Sequence, residues 1–350
     1  MTPDIAAVDL FCGVGGLTHG LEQAGIPVTA GVEINPDCRF AYEANNDAEF
    51  IEANIAELES DELKKLYPDG ATKILAGCAP CQPFSNLNNG RDTSTRSDYG
   101  LLRTFGDLIE DIQPEIVTME NVAEVRNAPV YSDFVNTLFR EDYQLWFDTV
   151  DCPDYGIPQR RSRIVLMASK IGDISLTDPT RDPANYPTVR ETLGDLPPLE
   201  AGEAADTDHL HKSRTLEEQN LERIRQSLPG GTWRDWDHEI RLDCHKKESG
   251  SSFDSVYGRM EWDAPAPTMT TQFYNYGSGR FGHPEQDRAI SLREGAMLQT
   301  FPEEYDFVKE GDEVEFKTIG KMVGNAVPVR LGEVIGQSIA QHLEEHSVAA

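Results

Sequence analysis

The chain has 350 residues, 61 Asp or Glu against 31 Lys or Arg, and a formal net charge of −30, which by itself argues against a nucleic-acid partner, whose usual footprint is basic. The length predicts two domains, and an apolar share of 39% excludes a disordered acidic tail grown long. No apolar stretch approaches the ~20 residues of a membrane span, and the six cysteines are scattered as no disulfide framework would place them.

Residues 6–11 form a short apolar run that ends in Gly13-Val14-Gly15-Gly16, which predicts a strand, a tight turn and then a helix over 17–24 closed by Gly25. A second strand is predicted over 28–33, a helix from an Asn35 cap through Tyr42, and a third strand over 73–77. Leu101, Leu102, Phe105, Leu108, Ile109 and Ile112 fall on one helical face that Pro114 ends, and 115–119 reads as the next strand. Phe134, Val135, Leu138 and Phe139 mark another helix, with strands near 145–151 and 163–169 completing the series. Strands alternating with helices give an α/β fold, a mostly parallel, doubly wound sheet with helices on both faces. From about 172 to 300 the periodic segments are short and Pro, Asp, Gly and His are frequent, so a second, smaller and irregular domain is predicted. An amphipathic helix over about 328–345 is expected to return to the first domain. The boundaries read from the sequence are 1–190, 191–310 and a returning segment 311–350.

Charge is uneven along the chain. Residues 1–150 carry 26 acids and 9 bases, 151–300 carry 25 and 18, and the last fifty carry 10 and 4. More than half of the positive charge therefore sits in the middle segment. Arg outnumbers Lys 21 to 10. An acidic, lysine-poor chain suits molar salt, where the Debye length falls to ~3 Å at 1 M and self-repulsion is screened.

A Gly-x-Gly-Gly turn directly after a strand lets the backbone approach a ligand, and Glu33 lies 20 residues beyond Gly13, the spacing of a carboxylate that accepts from ribose hydroxyls. At this point a nicotinamide dehydrogenase and an S-adenosylmethionine methyltransferase look alike. Cys78-Ala79-Pro80-Cys81 has the spacing of a metal half-site, but the other cysteines are isolated, and no metal is expected. Cys81 reads better as a nucleophile at the carboxyl end of a parallel strand. Glu120 ends the next strand, and strand alternation puts Arg161 and Arg163 on one face of the basic run Gln159-Arg160-Arg161-Ser162-Arg163.

In order and spacing, DLFCGVGG (9–16), VEIN (32–35), GCAPCQPFS (77–85), MENV (119–122), QRRSRIVLMAS (159–169) and KMVGNAVPV (321–329) resemble the motif set of the DNA (cytosine-5) methyltransferases. TVRETLGDLPPL (188–199), APAPTMTT (264–271) and REGAMLQTFP (293–302) also look like family segments, so the resemblance spans nearly the whole chain. It implies a Rossmann-like S-adenosylmethionine-dependent fold with a target-recognition domain, and double-stranded DNA as partner. By the same resemblance Cys81 attacks carbon 6 of a flipped cytosine, Glu120 meets ring nitrogen 3, and Arg163, with Arg161 close by, holds the base carbonyl. Phe11, Gly13, Gly15 and Gly16 would line S-adenosylmethionine, with Glu33 on the ribose, Ile34 against the adenine and Asn325 near the methionine end. Asn54-Ile55 stands where the family usually has an Asp that accepts from the adenine amino group.

Residues 85–100, with Gly90 and Gly100, read as a closing loop, and the target-recognition segment at about 200–262 offers Arg223, Arg225, Arg234, Arg241, Lys246, Lys247 and Arg259 to DNA. His209-x-His211 and Cys244-His245 lack finger spacing and read as polar loop residues. A monomer in a prokaryotic, high-salt cytoplasm is expected, with pairing to a restriction endonuclease left open. A transfer-RNA methyltransferase of the same chemistry and an inactive cofactor-binding module are the competing readings.

Overall fold

The computed structural model describes residues 5–80, 100–247 and 254–347. In chain order the strands are β1 (Ile5–Leu10), β2 (Val28–Glu33), β3 (Glu49–Glu52), β4 (Thr72–Gly77), β5 (Ile116–Asn121), β6 (Gln144–Asp151), β7 (Gln159–Arg160), β8 (Ser162–Ser169) and β9 (Ala266–Pro267). The helices are α1 (Gly16–Gln23), α2 (Arg39–Asn45), α3 (Ser60–Lys64), α4 (Leu101–Ile112), α5 (Pro129–Arg140), α6 (Val189–Leu193), α7 (Glu218–Gln226), α8 (Leu292–Leu298), α9 (Phe316–Asn325) and α10 (Val329–Ser347). The described residues fall into two compact units, one drawn from 1–155, 162–180 and 326–350, the other from 156–161 and 181–325.

The first unit holds a seven-stranded sheet in the order β3-β2-β1-β4-β5-β8-β6. Pairings from β3 through β5 are parallel, whereas β8 runs antiparallel to both β5 and β6. From β1 the sheet grows one way to β3 and the other way from β4, so the order reverses between β1 and β4. That reversal opens a crevice at the strand carboxyl ends, where open α/β sheets bind ligands. Strands covered on both faces need near-continuous apolar runs, and all six residues of β5 are buried. Ala6, Val8 and Leu10 of β1 join Phe105 and Ile109 of α4 and Phe134 of α5 in one cluster. On the opposite face of the same strand, Asp9 meets Thr18 of α1.

Helices α1 and α10 lie close together because glycines remove side chains from the contact. A Cβ on Gly20 would stand 2.3 Å from the Val329 carbonyl oxygen and 2.4 Å from the Glu333 nitrogen. The returning segment begins at residue 326 rather than 311, because α9 belongs with the second unit, and the main crossing falls at 181 rather than 191. The chain also enters the second unit briefly at 156–161, which periodicity could not reveal. Strand β3 escaped the sequence reading because Glu49-Phe50-Ile51-Glu52 is too short to set a period.

The second unit has little regular structure: β7 pairs with β9, and α6, α7, α8 and α9 are short. Trp233, Trp236, Tyr276, Ile224 and Ala289 form a small core. Buried arginines do much of the rest. Arg259 donates to the carbonyls of Ile224, Ser227, His283 and Gln286 and pairs with Asp287. Arg288 makes two 2.7 Å bonds to Glu294, and Arg293 binds Asp208 and the Tyr305 carbonyl. Loops that lack ladder partners thus have their carbonyls satisfied by guanidinium forks, each with five donors.

Gly20→Ala is expected to lower stability by about 3 kcal/mol, since backbone on α10 cannot yield as a flexible side chain would. Denaturant unfolding of the variant beside wild type measures it.

Candidate active site

The carboxyl ends of β4 and β5 and the amino-terminal end of β8 bring three side chains together. The last paired residues of β4 and β5 are Gly77 and Met119, so one step further Cys78 stands beside Glu120. The Cys78 thiol donates to Glu120 Oε2 at 2.8 Å. In the antiparallel pairing Glu120 faces Val165, which places Arg163, two residues along β8, on the same face. Arg163 Nε lies 3.0 Å from Glu120 Oε1, an ion pair that is not aligned as a hydrogen bond. Glu120 is 2% exposed, so a buried carboxylate has one oxygen held by a thiol and the other without a hydrogen bond. Next to it, the fully buried Asn121 donates from Nδ2 to the Ala79 carbonyl at 3.0 Å, and its Oδ1 accepts from the Val122 N–H at 2.9 Å. That amide ties the end of β5 to the segment that leaves β4.

At the carboxyl end of β1 the chain turns through Phe11 at φ 60, Gly13 at φ 54 and Gly15 at φ 90. Gly13 and Gly15 adopt this region without cost, whereas Phe11 is held there, and such strain gathers at ligand sites. Nothing lies within 4 Å of where a Gly13 Cβ would be, so the backbone there is open to a ligand. Gly15 caps α1, and Gly16 starts it. Glu33 accepts from the Gly13 N–H at 3.2 Å and from the Asn35 N–H at 2.9 Å, which fixes its carboxylate beside the turn. Ile34 follows with 62% of its surface exposed, a large apolar side chain left uncovered. Asn54 Oδ1 accepts from the Ala56 N–H and its Nδ2 donates to Glu57, while Ile55 is buried.

Residues 5–341 match the profile of the C-5 cytosine-specific DNA methylases. The chain belongs to that family.

The methylase is 53% identical to the Type II methylase M.HgiDII of Herpetosiphon aurantiacus, over 97% of this chain and 96% of that protein. It is 26% identical to the DNA (cytosine-5)-methyltransferase 3 of Arabidopsis thaliana over 98% of this chain, and spans 31% of that longer protein. Its fold is shared with a prophage-encoded E. coli protein described as a DNA modification methyltransferase, at a TM-score of 0.74 and 21% identity, over 97% of this chain and 100% of that one.

Of the residues expected from the sequence, Glu120 and Arg163 meet, and Phe11, Gly13, Gly15 and Gly16 share one turn, to which Glu33 at the end of β2 is hydrogen-bonded. Cys81, Gly90 and the rest of 81–99 lie outside the described residues. Arg161 does not share a strand face with Arg163. Strand β8 begins at Ser162, and Arg161 is buried in the second unit, where it donates to the Met269 carbonyl. Asn325 is the last residue of α9 and is also part of the second unit. Two of the supposed DNA contacts are structural: Arg259 is committed to loop carbonyls, and Arg223, likewise buried, bonds the Ile240 carbonyl and Asn220. Arg241 bonds the Trp236 carbonyl, and Arg234 pairs with Asp254. His211 is buried between Ser291 and the Pro197 carbonyl, and His245 stacks on Trp233. Among the described residues no group of three or more His, Cys, Asp or Glu side chains is arranged to hold a metal.

Sequence reasoning missed Cys78 as a partner of Glu120, Asn121 as a clamp, and Asp9. The DLF segment alone could have flagged Asp9, a carboxylate inside an apolar strand. Burial pushes the Asp9 carboxyl up to about 7, opposed by hydrogen bonding from Thr18, whose hydroxyl donates at 2.8 Å. A folded-state value above the ordinary 3.8 means stability that is full below about pH 4 and lost as pH rises through 7. Asp9→Asn removes that dependence. The melting difference between variant and wild type is expected to favour the variant progressively from pH 4 to 8, approaching about 4 kcal/mol.

Proposed function

We propose that this methylase transfers a methyl group from S-adenosylmethionine to carbon 5 of a cytosine flipped out of double-stranded DNA, through a covalent bond from Cys81 to carbon 6. The observation that carries the site assignment is the Glu120 carboxylate, buried between Cys78 and Arg163 with Oε1 lacking a hydrogen bond. Buried acceptors are nearly always satisfied, and a ligand that brings a donor or shares a proton would complete this one.

The residues at the β1 and β2 ends fit the cofactor. A turn open at Gly13, a Glu33 carboxylate anchored by two backbone N–H groups and an exposed Ile34 suit a backbone approach, a ribose and an adenine face. When bound, S-adenosylmethionine supplies an electrophilic methyl group. The protein makes carbon 5 able to accept it. The Cys81 thiolate adds to carbon 6, and the electron pair moves into the ring as an enamine. Glu120, sharing a proton with ring nitrogen 3, offsets the charge that gathers there, and Arg163 steadies both the Glu120 carboxyl and the base carbonyl. Loss of the carbon 5 proton then expels Cys81 and frees the product. The second unit is read as the target-recognition region, with Arg225, Arg234, Lys246 and Lys247 as the exposed cations of the expected set, the first three each beside an Asp carboxylate. Kinship with a Type II methylase supports a restriction endonuclease as functional partner.

Cys81→Ser is expected to abolish turnover on duplex DNA while S-adenosylhomocysteine still binds, and Glu120→Gln to lower kcat about 100-fold or more. Full activity in either variant, or preference for transfer RNA over duplex DNA in parallel assays, would overturn the reading.

The charge supports molar salt as the working solvent. Beyond the formal −30, five arginines (161, 223, 259, 288 and 293) are buried, which leaves the surface with still fewer cations. Circular dichroism and turnover across a KCl series are expected to show folding and peak rate near 1 M or above. An enzyme fully folded and fastest at ~0.1 M, where the Debye length is ~10 Å, would refute this.

A further inference from the structure

We propose that Cys78 is a positioning residue for the methyl transfer, acting through Glu120; the proposal rests on the reading of Glu120 given above. Three observations converge. The β4–β5 register sets Cys78 directly beside Glu120, and the thiol lies 2.8 Å from Oε2. On its other side Glu120 has an ion pair with Arg163 but no aligned hydrogen bond at Oε1. Cys78 is itself held, because its backbone N–H donates to the Leu10 carbonyl and the following carbonyl, that of Ala79, accepts from Asn121. The thiol therefore acts from a fixed backbone and, opposite Arg163, supplies the aligned hydrogen bond that orients the carboxyl group.

The consequence is chemical as well as steric. Donation to Oε2 leaves Oε1 as the oxygen presented to a base. Cys78 thus sets the rotation of the carboxyl group. No bond to sulfur forms or breaks. The role differs from that of Cys81, three residues along the chain, which carries the covalent step.

The test uses the full-length enzyme with Cys78→Ser, which keeps a donor, and Cys78→Val and Cys78→Ala, which remove it. Single-turnover methyl transfer to duplex DNA is followed from pH 6 to 10, with thermal melting and S-adenosylhomocysteine binding as folding controls. The Val and Ala variants are expected to be slower by about tenfold at neutral pH with the KM for DNA unchanged. The Ser variant stays within about threefold of wild type. A Val variant as fast as wild type, or a Ser variant as slow as Val, would each overturn the proposal. If Val does not fold, the Ala and Ser pair decides in the same way. A fully active Glu120→Gln would instead remove the underlying reading of the site.

Discussion

A carboxylate buried at the end of a parallel strand is the constraint from which much of the first unit follows. Taking Glu120 out of water costs several kcal/mol unless other groups offset it, and two neighbouring strands provide those groups. On one side, parallel β4 runs one residue beyond its last pairing and delivers the Cys78 thiol. On the other side, β8 must run antiparallel. Its amino-terminal end then lies at the carboxyl edge of the sheet, and Arg163, near that end, reaches Glu120. A parallel strand in the same place would present its amino-terminal residues at the opposite edge. The insertion of β8 between β5 and β6 is thus tied to the chemistry and not only to closure of the sheet.

The partial satisfaction of Glu120 also has a meaning. A fully bonded carboxylate would be rigid, charged and unavailable. An isolated one would be protonated and free to rotate. Held at Oε2 by a weak donor and beside a guanidinium at Oε1, the group is oriented but retains capacity for one further partner. Under the proposed reading that partner is the target base, and the strain implied by Phe11 at φ 60 lies at the neighbouring cofactor turn.

Much of this unit was legible in the sequence because buried strands and amphipathic helices impose periods. The span of β2, the face of α4 and its stop before Pro114, and the Asn35 cap on Asp37 agree with the pattern. Motif spacing brought Glu120 and Arg163 into one reading. What the sequence withheld is set by pairing across strands. The thiol of Cys78 looked like half of a metal motif until register placed it beside Glu120. Arg161 looked like the partner of Arg163 until β8 was found to start between them. The second unit was the least legible, since its order comes from side chains reaching distant carbonyls. Arg259 bonds residues 224 and 286, a relation with no local period to betray it.

Those arginines change what the charge distribution means. A middle segment richer in positive charge first suggests a surface reserved for phosphates. Yet Arg223, Arg259, Arg288 and Arg293 are buried, and each is engaged by a carbonyl or a carboxylate of its own unit. Positive charge is retained there because irregular loops need donors, and a guanidinium supplies five without titrating. Arg is therefore kept where Lys is not, which accounts for part of the 21 to 10 excess. A DNA methylase with so few free cations cannot lean on counterion release, whose contribution in any case falls steeply as salt rises. Under the proposed high-salt reading, affinity shifts toward groups that salt does not screen: base edges, the shape of the groove, and the contacts that hold one flipped cytosine beside Glu120.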